Sequence, residues 1–204
     1  MIPLMWLRGF LDGINGELER KFTLDAFLRR GDNVTITTDA SPWGIGGVLE
    51  LDGKIEAYFA DGITRVDREV LSLRDKPSSE DQQVLEAFAL LVALREWAPN
   101  WLNRRVKLSV KSDNVAALTL VCKMQPHSEQ MGIVARELAL DTCSSSVSPD
   151  DAVHIPGLAN VAADILSRIH QPNAKVAIPS YLNADFKWDC LPRPRSWWKS
   201  VPTG

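Results

Sequence analysis

From Asn33 onward apolar and polar positions alternate, with Val34, Ile36 and Thr38 on one face and Thr35, Thr37 and Asp39 on the other. That is the period of a strand with one face on a core. GIGGVLEL follows, then KIEAYFA after an Asp52-Gly53 turn signal, so this region predicts three strands in an antiparallel meander. Residues 61–81 are polar and aperiodic and predict a surface loop with some local structure. From Ser79 the period changes. SEDQQ begins with a serine and acids, and the next eleven residues, VLEAFALLVAL, have Glu86 as their only polar member. A helix that apolar is expected to lie against a sheet over most of its surface.

RRVKLSVKSDN alternates Val106, Leu108 and Val110 with Lys107, Ser109 and Lys111, which predicts a fourth strand running into a helix from Asn114 to about Lys123. Gln125-Pro126 breaks that helix, an amphipathic helix is expected from about Ser128 to Leu140, SSSVSPDD reads as a loop and DAVHI as a short fifth strand. Pro156-Gly157 then turns the chain toward Asn160, the expected N-cap of a last helix in NVAADILSRI. The expected fold class is α/β, a five-stranded mixed sheet in the order βββαβααβα with helices packed on it.

A chain of 204 residues with 45% hydrophobic content can bury a sizeable core, in one domain with extensions at either end. The longest uninterrupted apolar run is Ala87 to Leu94 and the opening MIPLMWLRGF lacks a basic leader. Neither a signal peptide nor a membrane span is expected, and the protein is expected to be intracellular. Cys122, Cys143 and Cys190 are odd in number and widely spaced, with no His at ligand spacing, which predicts free thiols rather than structural zinc. Charge is uneven. Residues 1–31 carry five Lys/Arg against four Asp/Glu and residues 171–204 five against two, which leaves 13 against 20, a net of −7, in the middle. A nucleic-acid partner ordinarily calls for a basic footprint, unless several of those acids hold cations.

Taken singly, the candidate residues have bland explanations. Asp39 can form an Asx-turn, Asp113 can cap a helix, Asp164 can be an acid in the first turns of the last helix, and His154 can be a half-buried polar residue. Glu86, mid-helix among Leu85, Ala87 and Phe88, is harder to explain as a solvated face. Strand ends and sheet-packed helices project toward a common edge, and four carboxylates there repel one another unless cations intervene. Oxygen-only ligands suit Mg²⁺ or Mn²⁺. Two such ions would bring the middle segment from −7 to −3, and paired metals commonly act on phosphodiesters.

Asp39 in TDAS followed by GIGG, Glu86 in the long helix, Asp113 in SDN after the fourth strand, and HIPGLANVAADILSR together resemble the ribonuclease H domain of gypsy-like retrotransposon reverse transcriptases. The resemblance covers roughly residues 32–170 and is most specific in HIPG, Asn160 and the Ala-Asp-x-Leu-Ser-Arg run at 163–168. It implies two-metal hydrolysis of the RNA strand of an RNA:DNA hybrid, leaving a 3′-hydroxyl and a 5′-phosphate. Asp39 would bridge two Mg²⁺ ions (or Mn²⁺), Asp164 would help hold the ion that activates water, and Glu86 with Asp113 the ion on the leaving-group side. His154 takes the place of the family's mobile histidine, which aids proton transfer or product release. Gln82 and Gln83 fall where the family contacts the hybrid's minor groove, the backbone of Ala40 and Ser41 lies near the scissile region, and Lys111 and Asn114 complete the expected substrate contacts. Arg104, Arg105, Lys107 and Lys123 are further phosphate-contact candidates. Gly46 and Gly47 are expected to serve mainly the hairpin.

The resemblance also implies a polymerase domain as partner in a parent polyprotein, with residues 1–31 as a connection-like segment. The chain has no polymerase motif, no extended basic helix between 124 and 150, and a long 61–81 loop for the family. Residues 171–204, ending in LPRPRSWWKSV, form a basic, aromatic tail expected to run as a proline-limited surface segment. Three alternatives stand beside this reading. A 3′ to 5′ exonuclease normally carries Asp-x-Glu in the first strand, where position 41 here is Ser. An integrase or transposase fits the motif order less well. A catalytically inactive tether would be relieved of the acids' repulsion by losing them.

Overall fold

The computed structural model describes residues 31–74, 78–101, 106–144 and 149–201, together with Arg8, Leu11, Leu24 and Leu28. Arg104, Arg105 and most of the expected connection-like segment lie outside the described residues. Strands β1 (Asp32–Ala40), β2 (Gly44–Leu51) and β3 (Lys54–Gly62) form the expected antiparallel meander. The second turn is made by Asp52 and Gly53, both at positive φ, as an Asp-Gly hairpin requires. β4 (Val106–Ser112) and β5 (Asp151–His154) add in parallel, giving the sheet order β3-β2-β1-β4-β5.

Between β3 and β4 lie two helices. The expected one, α2 (Ser79–Glu96), starts at a capping box in which the Ser78 hydroxyl accepts from the Asp81 backbone and the Asp81 carboxylate accepts from Ser78. Every side chain from Val84 to Ala93 is buried, Glu86 included. The other helix, α1 (Arg65–Val70), falls inside the expected loop. It has its own capping box, Thr64 with Asp67, and Asp67 is buried for a reason that lies far along the chain, described below. α3 (Val115–Lys123) and α4 (Glu129–Ser144) pack on α2, and α5 (Val161–Ser167) packs on β1, β2 and β3.

The sheet separates two apolar clusters. On one face Ile36, Ile45, Leu49 and Phe59 meet Leu85, Phe88 and Val92 of α2. On the other, Val48 and Tyr58 meet Leu166 and Leu182. Gly46 and Gly47 matter for these contacts rather than chiefly for the hairpin. A Cβ on Gly46 would lie 2.4 Å from the Ala163 carbonyl oxygen and 2.6 Å from the Ser167 nitrogen, both backbone atoms of α5, and one on Gly47 would meet the Phe59 ring at 2.5 Å. Gly46→Ala is therefore expected to push α5 off the sheet and cost about 2–3 kcal/mol, read as a lowered urea midpoint. A loss below about 0.5 kcal/mol would mean that α5 is not seated as described.

The segment after α5 departs from the expected surface tail. Trp188 donates its backbone N–H to the Tyr58 carbonyl and its indole N–H to Glu96, whose other oxygen takes the Leu191 N–H. The Arg193 side chain is 1% exposed and ion-paired to Asp61 and Asp67, and it also donates to the Gly62 carbonyl. Trp198 is buried and stacked on Phe88, with ring centroids 5.4 Å apart. Past it, the backbone N–H groups of Lys199 and Ser200 both donate to the fully buried Glu137 of α4. The prolines of the tail limit its secondary structure, but its tryptophans and Arg193 carry it back onto the core.

Of the cysteines, Cys122 and Cys190 are free. Burial, with Glu96 and Asp61 nearby, pushes the Cys190 thiol well up, so it stays protonated. The side chain of Cys143 lies outside the described residues. Among the described residues no helix is long and apolar enough to cross a membrane.

Candidate active site

Parallel pairing of β1 with β4 brings the C-terminal ends of both strands to one edge of the sheet. Asp39, opposite Gly46 near the end of β1, is 5% exposed. Asp113 directly follows β4 and is less buried than Asp39. α2 crosses behind them and contributes Glu86, 3% exposed. One carboxylate oxygen from each of Asp39, Glu86 and Asp113 lies within 4.8 Å of the others.

The simpler explanations for these acids fail on local geometry. Asp39 makes no Asx-turn, because it sits in the ladder and its Oδ2 accepts from the Ser167 hydroxyl at 2.7 Å. Asp113 does not cap α3; Asn114 does, its Oδ1 accepting from the Ala117 N–H at 3.0 Å. Glu86 has no solvated face. Its Oε1 accepts from Gln82 at 2.9 Å, while its Oε2 is buried with no hydrogen-bond partner.

The electrostatics follow from this packing. Burial pushes the Asp39 carboxyl up to about 7, helped by the charges of Asp164 and Asp113 and opposed by the Ser167 hydrogen bond. Burial, then Asp39 and Asp113, raises Glu86 well above the usual carboxylate range against the opposing Gln82 and Ala40 hydrogen bonds. Protons or cations must therefore neutralise the group near pH 7. An all-oxygen donor set with a buried unpartnered oxygen fits hard divalent cations such as Mg²⁺ or Mn²⁺.

The other expected site residues divide. Asp164, in α5, stands outside the three-carboxylate group, ion-paired to Arg168 at 2.7 Å, although its charge still acts on Asp39. His154 ends β5 at the rim, with Nε2 3.1 Å from the Asp113 carbonyl. It is exposed, not half-buried. Gly157 comes close to the same acid, since a Cβ there would be 3.1 Å from Asp113 Oδ2.

The Ser41 side chain is engaged within the fold. Ser41 is 2% exposed, and its hydroxyl donates to the Ser167 carbonyl at 2.7 Å and accepts from the Trp43 and Gly44 N–H groups, so it ties the β1–β2 turn to α5 and leaves the backbone as the part expected near a substrate. The Asn114 Oδ1 is likewise engaged in its cap, and the Gln82 amide is held by the Ala40 carbonyl at 2.6 Å and by Glu86. Gln83 and Lys111 are half-buried and Lys123 is exposed.

Two further residues at this edge hold Asp39: Ser167, for which the sequence suggested no role, and Asn160, expected only as the N-cap of α5. Ser167 donates to Asp39, and Asn160 stands at the expected N-cap position of α5 but makes no side-chain cap bond, donating its side-chain N–H instead to the Thr38 carbonyl at 3.0 Å, with Asp39 Oδ1 at 3.5 Å. The only signal for them was their place in the Asn160 and Ala-Asp-x-Leu-Ser-Arg pattern.

No protein-family model matches the chain, and no curated protein matches it. Solved structures do. Ribonuclease H1 from the halophilic archaeon Halobacterium salinarum superimposes with a TM-score of 0.50 at 20% identity, over 70% of this chain and 99% of that one. The fold is that of ribonuclease H. A ribonuclease H1 isolated from compost by a metagenomic approach is similar over 66% of this chain and 91% of its own, at 19% identity and a TM-score of 0.48. On the ribonuclease H-like sheet of this chain, Asp39 and Asp113 stand at adjacent strand ends and Glu86 on the helix behind.

Proposed function

We propose that this chain is a metal-dependent ribonuclease that hydrolyses the RNA strand of RNA:DNA hybrids. The observation that carries the reading is the three-carboxylate group of Asp39, Glu86 and Asp113, in which Glu86 keeps a buried, unpartnered Oε2, on a ribonuclease H-like sheet. These residues would hold two divalent cations, Mg²⁺ or Mn²⁺, with Asp164 completing the set once released from Arg168. Bound there, such cations supply charge stabilisation at the phosphoryl oxygens and a more acidic water. The products are a 3′-hydroxyl and a 5′-phosphate.

The chain's own residues prepare this chemistry. Ser167 and Asn160 fix Asp39, and Gln82 fixes Glu86 to the end of β1 through the Ala40 carbonyl. With the Asp113 carbonyl as acceptor, His154 carries its proton on Nε2, which leaves Nδ1 as a base at the rim. Gln83, Lys107, Lys111 and Lys123 are the groups we assign to the hybrid. Residues 32–170 are the catalytic unit in this reading. The resemblance of the HIPG, Asn160 and Ala-Asp-x-Leu-Ser-Arg motifs to those of retrotransposon ribonuclease H domains supports a setting beside a reverse transcriptase polymerase in a retroelement polyprotein.

The test is incubation of the purified chain with labelled RNA:DNA hybrid, single-stranded RNA and duplex DNA, in Mg²⁺, Mn²⁺ or EDTA. Cutting of hybridised RNA alone, abolished by EDTA, is the expected result. The Asp164–Arg168 ion pair favours one second reading, an inactive structural domain. Absence of cleavage with either metal, in protein shown to be folded, would favour that reading or a domain that needs its polymerase to hold the substrate.

A further inference from the structure

Resting on the metal-binding reading of the three acids, we infer that Ser167 is a positioning residue that sets the cation affinity of the site through Asp39. Ser167 is the last residue of α5 and fully buried. Its Oγ lies 2.7 Å from Asp39 Oδ2 and 2.9 Å from the Asp164 carbonyl oxygen, one turn back in the same helix. A hydroxyl has a single proton to give. Where Asp39 is an anion facing cations, that proton belongs on Oδ2, and the carboxylate is fixed in rotation by a donor that never leaves it.

The placement of Ser167 is itself over-determined. Its backbone carbonyl accepts from the Ser41 hydroxyl at 2.7 Å, and its backbone nitrogen lies against Gly46, where a Cβ would come within 2.6 Å. Helix α5 is thus held to β1 and β2 at the residue that touches Asp39. On the other carboxylate oxygen the Asn160 amide is 3.5 Å away, at the limit of a hydrogen bond. Ser167 is therefore the principal orienting group for Asp39 among the described residues. Outer partners that orient a ligand typically govern metal affinity by about 10- to 100-fold.

Titration calorimetry of Mn²⁺ into the full chain, without nucleic acid, tests this apart from cleavage, with thermal melts in EDTA to follow folding. For Ser167→Ala we expect Mn²⁺ affinity about 10- to 100-fold weaker, whereas in an Asp39→Asn background the same change shifts it by less than about twofold. A purely structural serine would lower the EDTA melting temperature and leave the affinity unchanged, which overturns the inference. So does a wild-type chain that binds no Mn²⁺. Should Ser167→Ala not fold, Ser167→Cys keeps most of the volume with a weak donor and is read the same way. A wild-type chain that binds Mn²⁺ with the serine dependence but cuts no hybrid retains this inference and removes only the nuclease reading.

Discussion

Asp39→Asn is expected to lower hybrid cleavage by about 10³-fold or more, equivalent to about 4 kcal/mol of transition-state stabilisation, while making the metal-free protein more stable at pH 8. Both effects have one cause. Asp39 is buried, with the charges of Asp164 and Asp113 close by, so its carboxyl is pushed up to about 7 in the folded chain from its ordinary 3.8. Between those values the folded state holds a proton that the unfolded state has released, so stability falls as pH rises across this interval and is lowest above it. For Asp39 alone the loss is at most about 4 kcal/mol, and Glu86, shifted the same way, adds to it.

Denaturation in EDTA at pH 5 and pH 8 reads the effect. The wild type is expected to be weaker at pH 8, the variant less so, and Mg²⁺ to restore the wild type at pH 8. A wild-type stability that is level over this range would mean that the Asp39 carboxyl is not raised. A variant retaining full cleavage would remove Asp39 from the chemistry.

Arg193→Ala is expected to destabilise the fold by about 3–5 kcal/mol. Its guanidinium lies between Asp61 and Asp67, and Asp67 is fully buried, so removing Arg193 leaves a buried carboxylate without its ion-pair partner. Asp67 also accepts from the Thr64 N–H in the capping box of α1, so the start of that helix is expected to loosen with it. Urea denaturation would measure the loss, beside Lys187→Ala, which removes an exposed pair with Asp189 and is expected to cost under about 0.5 kcal/mol. Similar small losses in both variants would mean that the Arg193 cluster does not hold the tail.

The meander, the long helix and the parallel fourth and fifth strands were legible because each rests on a local period: alternation in β1 and β4, the Asp52-Gly53 turn, and the apolar run around Glu86. The acids were legible for the opposite reason. Glu86 breaks an apolar pattern, and its anomaly points to Asp39 and Asp113 once strand ends are taken to share an edge. What the sequence hid depends on partners distant in the chain. α1 looked like a loop because the residue that neutralises Asp67 is Arg193. The tail looked like surface because Trp198 and Glu137 have no local pattern linking them. Gly46 looked like a hairpin residue because the helix that excludes a side chain there, at Ala163 and Ser167, arrives far along the chain, and the tie from the Ser41 hydroxyl to the Ser167 carbonyl was hidden for the same reason.

The stacking of Trp198 on Phe88 has a consequence for synthesis. Phe88 leaves the ribosome long before its cover does, and at about 5–20 residues per second the outer face of α2 stays bare for on the order of ten seconds. The meander and α2 can associate during that interval, but the α2–α4 face closes only when the last tryptophans emerge. The nascent chain therefore carries a sticky aromatic surface until Trp198 has emerged, and that interval is when a chaperone or a neighbouring domain has most to shield.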